Sequence, residues 1–176
     1  RYARKYPITF AGSVVGRLDR ALNIGWLQGN GVAVAKNGGS AEDGLHIIDY
    51  ASFLRESFIT LNFTSAVTFQ HVNARTSEAL MCGALLIESE SAETQNLLDP
   101  FVHYVPFKET FHIDEGTGQL TIDPSGDLVD KVRFYLSEKG RAEAEKIARQ
   151  GHARAMELFD GSKFWANVFG LAGLIW

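Results

Sequence analysis

Between residues 7 and 107 one pattern recurs. A short, almost uniformly apolar run alternates with a longer stretch whose apolar residues fall at helical spacing. The apolar runs are 7–13 (PITFAGS), 31–35 (GVAVA), 59–63 (ITLNF), 84–89 (ALLIES) and 102–107 (VHYVPF). The helical stretches are 16–28, with Leu18, Ala21, Leu22 and Trp26 as the apolar stripe, then 49–58, 73–82 and 91–98. Asp49 and Asn73 stand where helix N-caps belong. Strands this apolar need cover on both faces, and strands separated by helices pair in parallel. The expectation is an α/β fold: a doubly wound, mainly parallel sheet with helices on both faces.

The rhythm breaks after residue 107. Two short alternating runs around a Gly-containing turn predict a β-hairpin inserted at 110–123. Only helices follow, at 126–140, 141–159 and 162–176. Leu128, Val132, Tyr135 and Leu136 share one face of the first. In the second, Gly151 interrupts the stripe Ala144, Ile147, Ala148, Ala155, Leu158 and Phe159, which predicts a close helix contact. The 176 residues suit one domain spanning 1–176. The start RYARKYP and the apolar end FGLAGLIW suggest a piece of a longer protein.

Charge and composition narrow the function. Lys and Arg total 17 against 21 Asp and Glu, a net charge of −4, which disfavours nucleic acid as a partner. Lys139, Arg141, Lys146, Arg149 and Arg154 read as a solvated helix surface. No apolar run approaches the ~18 residues that span a bilayer. The single cysteine, Cys82, excludes an intrachain disulfide and fits a reducing, cytoplasmic setting. His46, His71, His103, His112 and His152 lack the short spacings of a metal site, so no metal centre is expected.

The segment 73–90, NARTSEALMCGALLIESE, concentrates the chemistry. With Asn73 as cap, the N–H groups of Arg75, Thr76 and Ser77 lie at the positive end of a helix dipole, a ready site for phosphate. The hydroxyls of Thr76 and Ser77 and the guanidinium of Arg75 add donors. Glu78, one turn deeper, is placed to accept two sugar hydroxyls. Gly83 supplies the left-handed helix stop. The same residues also describe an ordinary capped helix, and that reading stays open. His71, just before the helix, is a candidate to approach a sugar or phosphate. Gly12, Ser13 and Gly16 do not form a dinucleotide fingerprint.

This segment resembles the nucleotide-sugar-binding stretch of glycosyltransferases with two Rossmann-like domains, the GT-B architecture. The nearest likeness is to the bacterial, spore-protein-like "group 1" set, where Arg-x-x-Glu-Ala-x-x-x-Gly precedes an apolar strand. ITFAGS with Arg17, then IIDYASFLRESFITLNF, then DLVDKVRFYLSEKGRAEAEKIARQGHARA follow in the family's order, so the likeness covers roughly residues 6–170.

The resemblance implies a C-terminal, donor-binding half whose N-terminal acceptor half is not in this sequence. It implies a nucleoside diphosphate sugar as donor, expected to be a UDP-sugar, and no obligatory cofactor. Glu78 would grip the ribose. Arg75, Thr76 and Ser77 would bind the diphosphate, capped by Asn73. Gly12, Ser13 and Arg17 would form the facing turn, and Ile48 and Tyr50 would pack near the base. Where many retaining members carry a second glutamate eight positions before Glu78, this chain has Gln70, which can hydrogen-bond a sugar hydroxyl but cannot ionise. Gln70, His71 and Arg75 are the candidates for the chemistry. Charge on the departing diphosphate would be stabilised by Arg75 and the helix start. There is no Asp-x-Asp; Glu88 and Glu90 read as helix-start carboxylates rather than metal ligands.

Phe164, Trp165 and Phe169 suggest packing against the missing half, with peripheral membrane contact as the other use. Two further functions stand beside transfer: a non-catalytic scaffold with a protein partner, and a sugar-nucleotide epimerase.

Overall fold

The structure, a computed structural model, describes residues 4–37, 45–64, 72–108, 111–113, 116–122 and 126–162. Five strands form one parallel sheet: β1 (Tyr6–Ala11), β2 (Ala35–Asn37), β3 (Ser57–Asn62), β4 (Leu85–Ser89) and β5 (Val105–Phe107), in the order β2-β1-β3-β4-β5. Between them run α1 (Leu18–Gly29), α2 (Ile47–Arg55), α3 (Ala74–Met81) and the single turn α4 (Ala92–Gln95). The hairpin is β6 (Phe111–Ile113) against β7 (Leu120–Ile122), antiparallel. Helices α5 (Leu128–Leu136) and α6 (Glu138–Leu158) follow.

Side-chain alternation builds the two layers. Ile8, Phe10, Ile59, Leu61, Leu85 and Ile87 face α1 and α5 and join Ile24, Leu27, Val132 and Tyr135 in the main core. Ala11 meets Phe53 and Leu54 of α2 on the other side, and Leu86 meets Ala79 and Leu80 of α3. Each such Leu or Ile contributes about 1.5–3 kcal/mol when fully buried. Helix α6 touches both layers, through Ala144 and Ile147 on one and Ala155 on the other. Gly151 gives the close approach its place in the stripe predicts: a Cβ there would lie 2.2 Å from the His103 carbonyl and 2.8 Å from Leu80 Cδ2. Arg4 ties the far edge together, donating to the carbonyls of Arg55, Ser57 and Gly83.

Several expectations shift. The second strand begins at Ala35 rather than residue 31. Val32 and Val34 are buried, but the ladder opens only where Ala35 faces Thr9. Helix α2 starts at Ile47, capped by the His46 ring, so Asp49 sits in the first turn instead of capping it. β3 opens at Ser57, which pairs with Tyr6. The fifth strand is shorter, because Phe101, at φ +59°, bends the chain and donates its N–H to the Tyr104 carbonyl. In α1 the buried face carries Arg20, Asn23, Ile24 and Leu27, whereas Leu18 and Trp26 are exposed. The expected helix at 162–176, with Phe164, Trp165 and Phe169, lies outside the described residues beyond Ser162.

Candidate functional site

In this strand order the connections leave β1 in opposite directions, so a crevice opens at the carboxyl ends of β1 and β3. A cavity of about 360 Å³ occupies that place, lined by Ala11, Gly12, Asn37, Leu45, Tyr50, Ala74, Arg75 and Glu78. Three chain segments that follow or precede separate strands thus converge on one hollow.

Helix α3 brings the polar groups in. Asn73, extended at φ −98° and ψ 165°, caps the helix: its Oδ1 accepts from the Arg75 N–H at 3.0 Å. Gly83 closes the helix end at φ +70°. The Arg75 guanidinium reaches across to the turn after β1. A Cβ on Gly12 would stand 2.9 Å from Arg75 Nη2, and Gly12 holds φ +143°, so this crossing needs glycine. One turn further, Glu78 Oε2 accepts from the Tyr50 hydroxyl at 2.6 Å. Burial, then the Glu78 carboxylate, pushes the Tyr50 phenol well above its ordinary value, so it stays a donor.

The turn beyond Gly12 is a knot of arginines. Arg17 donates to both oxygens of Asp19, at 3.0 and 2.7 Å. Ser13 Oγ accepts from the Val15 N–H, and its carbonyl accepts from Arg20 Nη1, each at 3.0 Å. Arg20 is buried over the Phe10 ring, and its Nε has no hydrogen-bond partner. Burial, then the nearby positive charges of Arg17 and Arg75, bring its pKa down to about 10.

Behind the cavity lies a polar cluster. Asn62 and Glu88 are register partners on β3 and β4, and both are fully buried. Glu88 Oε2 accepts from Asn62 Nδ2 and from Thr76 Oγ1, each at 2.7 Å, and Oε1 accepts from Thr94 Oγ1 at 2.6 Å.

The structure therefore brings Gly12, Tyr50, Arg75 and Glu78 together around one cavity, with Asn73 supporting them. The other expected residues are placed as follows. The Thr76 hydroxyl is buried and given to Glu88, and the Ser77 hydroxyl turns back to the Ala74 carbonyl at 2.8 Å. The Thr76 N–H bonds to the Asn73 carbonyl. The Ser13 hydroxyl and Arg17 guanidinium are engaged within their own turn. Ile48 is exposed on α2, outside the cavity lining, where Leu45 stands instead. Tyr50 acts on Glu78 rather than presenting only its ring. Glu88, read from the sequence as a helix-start carboxylate, is fully buried and accepts from Thr76 of α3 and Thr94 of α4. Gln70 and His71 lie outside the described residues.

Sequence reasoning missed Asn62, Arg20 and the interior role of Glu88. Each of the apolar runs ITLNF and ALLIES carries a polar residue near its carboxyl end, but only the register of β3 against β4 brings the two together.

A larger cavity, about 1020 Å³, opens at the opposite edge, lined by Arg4, Arg141, Arg149 and His152 with Glu145, Phe58 and others. Arg4 donates to backbone carbonyls, His152 contacts the Leu80 carbonyl, and Arg141 and Arg149 stand near Glu145 in the cavity wall. Among the described residues no three His, Cys, Asp or Glu gather to hold a metal ion. No helix among them is long and apolar enough to cross a membrane.

A family model described as "Glycosyl transferase-like" matches residues 3–163. No curated protein matches the chain in sequence. Among solved structures, Anabaena HepE in complex with UDP-glucose superposes with a TM-score of 0.60 at 14% identity, over 97% of this chain and 41% of that one. The C-terminal domain of the group 1 glycosyl transferase LpcC from Francisella tularensis gives 0.60 at 12% identity, over 89% of this chain and 87% of that one. Sucrose-phosphate synthase from Thermosynechococcus elongatus gives 0.52 at 14% identity, over 97% of this chain and 47% of that one. The chain thus spans less than half the length of HepE and nearly all of the LpcC domain.

Proposed function

The chain belongs to the glycosyl transferase-like family, and we propose that it is the donor-binding half of a glycosyltransferase that holds a nucleoside diphosphate sugar in the cavity between β1 and β3. One observation carries the proposal. Arg75 and Glu78, three residues apart on α3, both line one hollow with Gly12; the Arg75 guanidinium lies close against Gly12, and Glu78 accepts from Tyr50. In this reading Arg75 and the start of α3 bind the diphosphate. Glu78, oriented by Tyr50, accepts the two ribose hydroxyls. Gly12 lets the guanidinium lie against the backbone, and Arg20 adds positive field from the turn. As the glycosidic bond breaks, negative charge grows on the leaving diphosphate, and a preorganised guanidinium beside a helix start stabilises it. The complexes of HepE with UDP and with UDP-glucose support UDP as the nucleotide.

The acceptor would be bound by a second domain, as the share of HepE that this chain spans suggests. The test is a thermal-shift panel of UDP, GDP, ADP and CMP with their sugars. A stabilisation by UDP and its sugars above the others supports the reading, and no shift with any nucleotide removes it.

A second reading, a scaffold that keeps the fold without transfer, has one observation in its favour. The hydroxyls of Thr76 and Ser77 both donate within the protein, so fewer groups face a phosphate than the sequence implies. Capture of a protein partner by a chain that ignores every nucleotide is the outcome that favours it.

A further inference from the structure

We propose that Glu88 is the positioning residue of this site: it touches no ligand, but it anchors the start of α3 and so sets where Arg75 and Glu78 stand. The inference rests on the donor-site reading for its functional consequence, though not for the anchoring itself.

The connections are short. Glu88 lies near the end of β4, fully buried, and does not line the cavity. Oε2 accepts from Thr76 Oγ1, in the first turn of α3, at 2.7 Å. The same oxygen accepts from Asn62 Nδ2 at 2.7 Å. Asn62 in turn grips the cap: its Nδ2 reaches Asn73 Oδ1 at 3.1 Å, and Asn73 Nδ2 donates to Asn62 Oδ1 at 3.3 Å. Asn73 Oδ1 also accepts the Arg75 N–H. The amide of Arg75 is therefore three hydrogen bonds from Glu88 by way of Asn73 and Asn62, while Thr76 is held directly.

Packing alone does not call for a carboxylate here. An apolar side chain of similar volume would fill the space but leave the donors of Asn62, Thr76 and Thr94 without this acceptor. What the carboxylate adds is acceptor capacity. Three neutral donors from three different elements, β3, α3 and α4, converge on its two oxygens. None carries a charge, so the arrangement fixes direction rather than neutralising an ion. A helix of eight residues with its cap held in this way has little freedom to tilt. A tilt would carry Arg75 away from Gly12 and Glu78 away from Tyr50 together.

Glu88→Ala removes the acceptor. Glu88→Gln is the rescue: it keeps an oxygen towards Asn62 and Thr76 and turns its nitrogen to the Thr94 hydroxyl, which can rotate to accept. Thr94→Val is the control, breaking a bond of the same kind on the α4 side only. In hydrogen exchange of the ligand-free chain, Glu88→Ala speeds exchange at the amides of 74–78 by about tenfold or more, whereas Glu88→Gln and Thr94→Val leave it within about twofold of the parent. If Glu88→Ala does not fold, Thr76→Val takes its place with the same expectation. UDP affinity by calorimetry follows the exchange, falling about tenfold in the first class and within about twofold of the parent in the second. Unchanged exchange at 74–78 in Glu88→Ala or Thr76→Val overturns the proposal, as does equal loss in Thr94→Val. If the parent binds no UDP, the donor reading falls by itself, and the exchange comparison still decides the anchor.

Discussion

The Tyr50 hydroxyl donates to Glu78 Oε2 at 2.6 Å, joining α2 to α3 through residues 28 apart in sequence. A glutamate on a helix surface has rotamer freedom, and this bond removes it. Tyr50→Phe keeps the ring and deletes the donor. The expected result is a loss of about 1 kcal/mol in UDP affinity, read by calorimetry, with little change in thermal midpoint. An unchanged affinity would separate Glu78 from the nucleotide.

Gly12 tests the opposite wall. Alanine there has to adopt φ +143° and brings its Cβ within 2.9 Å of Arg75 Nη2. The guanidinium can swing aside, but the backbone strain stays, at about 1–3 kcal/mol. Gly12→Ala should lower the unfolding free energy from urea titration by that amount and also weaken UDP binding, because Arg75 is displaced. Lowered stability with full affinity would mean that Arg75 contributes nothing from its present place.

Much of this layout is legible in the chain, and the failures have physical causes. β1, β3 and β4 are apolar because both faces are covered, and Asn73 and Gly83 bound α3 by local chemistry that needs no partner. Apolarity reports burial, not ladder hydrogen bonds, so Val32 and Val34 look like strand while pairing begins at Ala35. The inner face of α1 was hidden because Arg20 and Asn23 are buried on the strength of partners, the Ser13 and Asp19 carbonyls, that a helical periodicity does not display. The role of Glu88 depends on Asn62 facing it across β3 and β4. Neither strand adjacency nor register follows from a single sequence.

Glu88 also makes a pH prediction. Burial lifts its carboxyl above the ordinary value of 4.5, against the pull of its bonds from Thr94, Asn62 and Thr76. A folded-state pKa above the unfolded one means that the native state holds the proton longer. The associated stability is fully present below the unfolded value and is lost as pH rises through the folded one. Glu88→Gln carries no such proton. The stability of the parent minus that of Glu88→Gln, from urea titrations, should therefore fall as pH rises from about 4 towards neutrality. A difference that grows with pH would mean that the bonds from Thr94, Asn62 and Thr76 outweigh burial.

The packing of α6 can be tested without any ligand. Gly151→Ala places a methyl 2.2 Å from the His103 carbonyl oxygen, backbone that cannot yield cheaply. Overpacking of this kind costs about 1–3 kcal/mol. The thermal midpoint should drop accordingly, whereas Gly161→Ala, with open space around its Cβ, should change it little. Equal midpoints for the two variants would mean that α6 lies farther from the turn before β5.

The most direct measurement is isothermal titration of UDP into the parent chain, Arg75→Ala and Glu78→Ala. The expected result is binding by the parent and a loss of about 1–3 kcal/mol in each variant, the worth of a charge-assisted hydrogen bond. Equal binding by all three would place the nucleotide elsewhere and contradict the assignment of this cavity.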